Sequence, residues 1–246
     1  MSGSDFAAAL AAIHGGGDDD DLCEPFLSVL PVTGAAISTL GNPFGIETVC
    51  ASDADAARLD EIQLDLGEGP CWQALRTGKP VLEPDLGRAT STQWPVALQA
   101  MRATGLGAVF AFPMRLGSFD VGVVDLYTHV PSRLGARPLH EAAALSAATA
   151  RQVLRRAVRR AESEADGSAD PDPGRHSRRE VHQASGMLIA QTGVPPEDAL
   201  LMLRGHAFAA GRSVRELAAD VIARRIDFTD HTGTAPSGGS SHDSNS

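Results

Sequence analysis

Four arginines near the C-terminal end, Arg178, Arg179, Arg204 and Arg212, carry the chemistry that is easiest to name in this sequence. A guanidinium is planar and always charged. It pairs with a phosphate through parallel N–H donors, or stacks on a flat base. From Arg175 to Ile226 there are 8 arginines against 5 acidic residues, so this stretch is open to a polyanion. Residues 1–135 hold 17 acidic and 7 basic side chains, which makes the front half unsuited to one. For any single arginine the competing reading is an ordinary solvated helix face. Arg212 and Arg215 serve the surface of the last helix equally well.

A second group lies in the front half. Cys71 follows a Gly-Pro turn at the start of a predicted helix, where a thiolate gains from the helix dipole and a redox sensor is conceivable. The competing reading is a small buried apolar side chain. Trp94 either closes a ligand pocket or packs structurally beside Pro95, and Asp85 either meets a ligand or caps a turn. Asp125 receives no role. Cys23, Cys50 and Cys71 are scattered and make neither a disulfide framework nor a metal-ligand spacing. His176, His182 and His206 fit no metal template, so no metal is expected. No phosphate loop, dinucleotide fingerprint, nucleophile elbow or receiver-type acidic cluster occurs, so neither catalysis nor a cofactor is expected.

These residues need elements to hold them. Around the arginines, three short helices are punctuated by Gly193, by Pro195-Pro196 and by Gly211, and Ser213-x-x-Glu216 is a capping box for the third. Val181, Ala184, Leu188 and Ile189 share a face of the first helix. Ala199, Leu203 and Ala207 do so in the second, and Val214, Leu217, Ala218, Val221 and Ile222 in the third. A bundle of this size buries little surface and is expected to lean on a neighbouring helix or a second chain.

Upstream, strands are predicted at 35–40, 46–51, 80–82, 108–114 and 121–127. Helices are predicted at 54–64, 69–77 and 96–103, with turns at Gly41-Asn42-Pro43 and Gly117-Ser118. Interspersed helices and antiparallel strands indicate an α+β domain. Leu139 to Ala161 is a long helix, apolar on one side and covered on the other by Arg151, Arg155, Arg156, Arg159 and Arg160. It is expected to pack on the domain and continue as a dimerisation stalk. An apolar patch from Phe6 to Ile13 precedes GGGDDDD, which reads as a solvated spacer. The resulting division is an N-terminal segment 1–23, a domain 24–160, a linker 161–177, a helical domain 178–228 and a disordered tail 229–246. No apolar run reaches membrane-spanning length and no secretory leader is evident, so a cytoplasmic chain is expected.

The C-terminal segment resembles the ANTAR family of RNA-binding antiterminator modules. The resemblance rests on Gln183-Ala184-Ser185-Gly186-Met187-Leu188, Gly193, Ala199, Leu203-Arg204, Leu217-Ala218 and Val221. It implies that Gln183, Ala184 and Ser185 join Arg178, Arg179, Arg204 and Arg212 in an RNA-binding surface. Ser185 stands where the family usually has a basic residue, which predicts weaker phosphate attraction and a flatter salt dependence. Residues 25–160 resemble the GAF family of sensory domains, through Glu61-Ile62-Gln63, Gly67-Glu68-Gly69-Pro70-Cys71, Asp85-Leu86, Trp94-Pro95 and the strands Ala111–Met114 and Val121–Tyr127. The pairing looks like the GAF–ANTAR regulators of actinobacteria. It implies a GAF-like antiparallel sheet with flanking helices, a long helix, and a three-helix ANTAR-like bundle. The implied protein is a homodimer that binds tandem RNA hairpins in nascent transcripts and prevents termination. An unidentified small-molecule or protein signal would act on the GAF-like part, with Cys71, Asp85 and Trp94 as its contacts. Two rivals stand beside this reading. One is a DNA-binding regulator reading through Val214 to Arg225; the other is a signalling or scaffold protein whose RNA site was lost at Ser185.

Overall fold

The computed structural model describes residues 3–18, 20–40, 45–165 and 176–228. The expected turn at Gly41-Asn42-Pro43, most of the expected linker, and the tail after Phe228 lie outside them. The chain forms two compact units, Met1–Arg178 and Arg179–Ser246.

The first unit is built on a five-stranded antiparallel sheet of order β2-β1-β5-β4-β3, with β1 at Gly34–Thr39, β2 at Glu47–Ala51, β3 at Val81–Glu83, β4 at Ala108–Leu116 and β5 at Phe119–Thr128. All five expected strands and the hairpin at Gly117 are present, each within a few residues of its predicted bounds. The central strands are buried on both faces, so they read as near-continuous apolar runs. Alternation decides which helices each side chain meets. Ile37, Phe110, Phe112, Val124 and Leu126 pack with α1 (Gly3–Gly15), α2 (Glu24–Val29) and α6 (Ala136–Ala165). Ala36, Val109, Ala111, Val123 and Tyr127 face α3 (Ala54–Leu66), α4 (Pro70–Thr77) and α5 (Pro95–Arg102). Gly122 sits where β5 presses on β1; a Cβ there would lie 1.9 Å from the Ser38 carbonyl oxygen.

The N-terminal apolar patch is α1, and Ala9 and Ile13 are buried in the same core as the sheet. Two expectations are corrected. The glycine–aspartate run is not a free spacer: the carbonyls of Gly17 and Asp20 accept from the buried Arg156 guanidinium at 2.6 and 2.8 Å. The arginine side of α6 therefore does not simply face water; it has this turn to satisfy. Finally, Cys23 and Cys50 form a disulfide between the start of α2 and β2, their Cα atoms 6.4 Å apart.

In the second unit α7 (His176–Thr192), α8 (Pro196–Ala209) and α9 (Val214–Ile222) enclose one apolar cluster. Val181, Ala184, Leu188, Ala199, Leu203, Ala207, Val214, Leu217, Ala218 and Val221 are buried, as their spacing requires. Gly193 and Gly211 take left-handed φ values of 71° and 62° at the two turns. The capping box is formed in both directions, Ser213 Oγ accepting from Glu216 N and the Glu216 carboxylate accepting from Ser213 N. Phe228 closes the cluster, edge-on to the His206 ring.

Candidate functional site

The outward face of α7 carries His182, Gln183, Gly186 and Ala190, all exposed. Ala184 is completely buried, so its side chain is part of the bundle core and only its backbone is near the surface. Ser185 is half-buried, and its hydroxyl donates back to the Val181 carbonyl at 2.8 Å. Gly186 is different. A Cβ built on it meets no atom within 4 Å, so packing inside the unit does not require a glycine there. A mid-helix glycine costs about 1 kcal/mol relative to alanine. The unit carries that cost on an exposed face, beside an exposed amide and an imidazole.

The arginines are unequal. Arg178 and Arg179 stand in the first turn of α7, with side chains outside the described residues. Arg204 is half-buried on α8. Arg212 is committed within the unit: it pairs with Asp220 at 2.7 Å and donates to the Glu216 carbonyl at 3.3 Å. Arg225 shares the same Asp220 carboxylate at 2.6 Å. The expected reading helix from Val214 to Arg225 stops at Ile222, which takes Arg224 and Arg225 off its face. Arg224 is exposed with a left-handed φ of 55°. Phe208, 66% exposed at the end of α8, lies one position off the Ala199–Leu203–Ala207 stripe, so periodicity alone does not mark it.

In the first unit a buried polar cluster lies between the sheet and α3–α4. Gln63 is its hub. Its amide nitrogen donates to Asp125 Oδ2 at 3.0 Å, its amide oxygen accepts from Cys71 N at 2.9 Å, and its carbonyl accepts from Trp72 Nε1 at 2.8 Å. Asp60, also buried, accepts from Ser38 Oγ at 2.6 Å and from Thr48 Oγ1. Asp125 Oδ1 has no hydrogen-bond partner among the described residues. Burial, and then the Asp60 charge, push the Asp125 carboxyl well above the usual range. Burial, followed by the charges of Asp125 and Asp60, pushes the Cys71 thiol well up too, against the thiolate that a helix start favours.

Asp85 accepts from Arg88 N at 3.2 Å, which is the turn-capping geometry. Trp94 is buried, and its Nε1 donates to Gln73 Oε1 at 2.7 Å. Glu68 links two motifs that are far apart in sequence, because its carboxylate caps α5 by accepting from Val96 N at 2.7 Å and Ala97 N at 2.8 Å. The Glu-Gly-Pro-Cys turn and the Trp-Pro pair thus hold one another. Cys71 N and Trp94 Nε1 bond to different glutamines and Asp85 bonds within its own turn, while the polar cluster centres on Gln63, Asp60 and Asp125. Asp60 and Gln63 sit within an amphipathic helix, where only tertiary packing reveals which polar side chain turns inward.

No described helix is long and apolar enough to cross a membrane. A GAF domain profile matches residues 18–153, and an ANTAR domain profile matches residues 175–222. No curated protein matches the chain. Among solved structures, the GAF domain of an Acinetobacter phosphoenolpyruvate-protein phosphotransferase is similar at 12% identity and a TM-score of 0.48, covering 69% of this chain and 100% of that one. The chromophore-binding domain of a bacteriophytochrome from R. palustris is similar at 10% identity and 0.48, covering 63% and 61%. A type II free methionine-R-sulfoxide reductase from Thermoplasma acidophilum is similar at 13% and 0.42, covering 61% and 96%.

Proposed function

This chain belongs to the GAF domain family and carries an ANTAR domain behind its sensor, and from that premise we propose that it binds paired RNA hairpins in nascent transcripts and prevents their termination. GAF and ANTAR are regulatory domains, and their fusion makes the chain a sensor-regulated antitermination regulator. The observation that carries the finer reading is the exposed face of α7 around Gly186, where a glycine is kept without any internal packing need. A nucleic-acid backbone that approaches a helix closely needs such a gap. Gln183 and His182 offer hydrogen bonds to looped-out bases beside it, and Arg178, Arg179 and Arg204 supply attraction to phosphate. Arg212 contributes by holding α9 through Asp220 rather than by reaching out. The protein acts as a homodimer, each copy engaging one hairpin. Its GAF unit shifts the population between dimer geometries in response to a small-molecule or protein signal. The site of action is the cytoplasm, where transcripts emerge.

The test is an anisotropy titration of the full chain with a tandem-hairpin RNA over a salt series, with a duplex DNA as competitor. Saturable RNA binding that the DNA does not displace is expected. No binding at low salt, by either the free or a cross-linked dimeric chain, would remove the proposal. Ser185→Arg should tighten binding by about three- to tenfold, and steepen the log–log salt slope by about 0.7–0.9 if the added charge meets one phosphate. An unchanged slope would place position 185 away from the phosphates.

A further inference from the structure

We propose that the Cys23–Cys50 pair is a thiol–disulfide clasp that sets the order of the C-terminal half of α6. Cys23 stands at the N-cap of α2 and is fully buried, while Cys50 lies half-buried on the edge strand β2, beside an irregularity in its pairing with β1. The disulfide therefore ties the chain just after the glycine–aspartate turn to the rim of the sheet. Asp21 draws the tie tighter, because its carboxylate accepts from Cys23 N at 2.8 Å.

The other side of the same turn is held by α6. Gln152 donates to the Gly16 carbonyl at 2.6 Å, Arg156 to the carbonyls of Gly17 and Asp20, and Arg159 forms an ion pair with Asp18. Arg155 reaches the His14 carbonyl at 3.2 Å. Gln152 and Arg156 are buried by these contacts. A buried guanidinium is costly unless its donors are met. The order of α6 from Gln152 onward thus depends on the turn keeping its carbonyls in place, and the disulfide anchors the turn. Among the described residues α6 runs on to Ala165.

The chemistry is an exchange with a dithiol reductant. One of its thiolates attacks Sγ of Cys50, the less buried of the two residues. The S–S bond breaks, and Cys23 leaves as a thiolate and takes a proton. The second thiol of the reductant then displaces Cys50 as its thiol, and the reductant departs as a cyclic disulfide. Two electrons and two protons pass from the reductant to the protein, and a small disulfide reverses the step. A transcript-level regulator works among cellular dithiols, where a disulfide is a changeable state more than a permanent staple. This last point alone rests on the function proposed above.

The experiment uses the full chain equilibrated with reduced or oxidised dithiothreitol. Differential alkylation with mass spectrometry reads the pairing, and amide exchange reads α6. Oxidised protein should show Cys23 and Cys50 protected together, with Cys71 as the unpaired thiol. Reduction should free both and speed exchange in residues 152–160 by tenfold or more. The double variant Cys23→Ser, Cys50→Ser should match the reduced state under either condition. Arg156→Gln should keep the disulfide but make exchange in α6 independent of redox state. The proposal is overturned if the dithiol leaves Cys23 and Cys50 protected, or if α6 exchanges equally in both states. Neither readout involves RNA, so failure of RNA binding leaves this result distinct.

Discussion

Replacing Asp125 with asparagine is expected to raise the melting temperature of the sensor unit at about pH 8 and to change it little at about pH 4. The reason is the raised carboxyl. Burial comes first, then the neighbouring Asp60 charge, and both favour the protonated form in the fold. A carboxyl whose folded pKa lies above its unfolded value binds its proton more tightly when folded. Below the unfolded value both states hold the proton, and the contribution is fully present. As pH rises past that value the unfolded chain releases the proton first, and stability falls by as much as about 1.4 kcal/mol per pH unit until the folded group titrates. Asparagine keeps an oxygen for the Gln63 amide and removes the charge. Removing the need to hold that proton in the fold, or to carry the buried charge once it is released, is worth on the order of 2 kcal/mol near neutral pH, which is roughly 4–8 °C for a unit of this size. Asp53 has a depressed carboxyl, held by Ser52, Ala56 and Tyr127 against the opposing effect of burial, and it tilts the same profile the other way. The difference between variant and wild type across pH therefore isolates Asp125. A difference that stays flat from acid to alkaline pH would mean that the carboxyl is not under the strain argued for it.

Asp125 also marks where the sequence stops being legible. Elements were readable wherever a local pattern is sufficient: the capping box at Ser213 and Glu216, the glycine turns at Gly193 and Gly211, the alternating strands that became β4 and β5, and the three apolar stripes of the helical unit. Most of the failures concern pairs distant in the chain. Cys23 and Cys50 are 27 residues apart, and only the place of β2 at the sheet rim brings them together. The aspartate run has the composition of a solvated spacer, yet Arg156 lies about 140 positions later and needs its carbonyls. Glu68 caps a helix that starts nearly thirty residues downstream. Composition reports what a segment offers to water, whereas these contacts depend on which surface the fold presents to it. The same limit explains the arginines. Their charge is visible in the sequence, but the capture of Arg212 and Arg225 by the single carboxylate of Asp220 depends on the turns on both sides of α9.

Gly186 gives the sharpest separation of packing from function. Gly186→Ala should stabilise α7 by about 0.5–1 kcal/mol, because alanine loses less backbone entropy in a helix and its methyl enters open space. The same methyl should weaken tandem-hairpin RNA by tenfold or more if the glycine is kept for a close backbone approach. Gly186→Glu adds bulk and negative charge, and should weaken binding at least about a hundredfold while leaving the helical content intact. Gly205→Ala is the control, since Gly205 is likewise exposed with an open Cβ but lies on α8. Stability and affinity moving in opposite directions at 186, and not at 205, is the pattern of a contact surface. If Gly186→Ala gains stability and binds RNA like wild type, α7 does not touch the transcript through this face. The RNA-contacting surface would then have to be sought on α8, where Arg204 and the exposed ring of Phe208 offer a charge and a stacking platform.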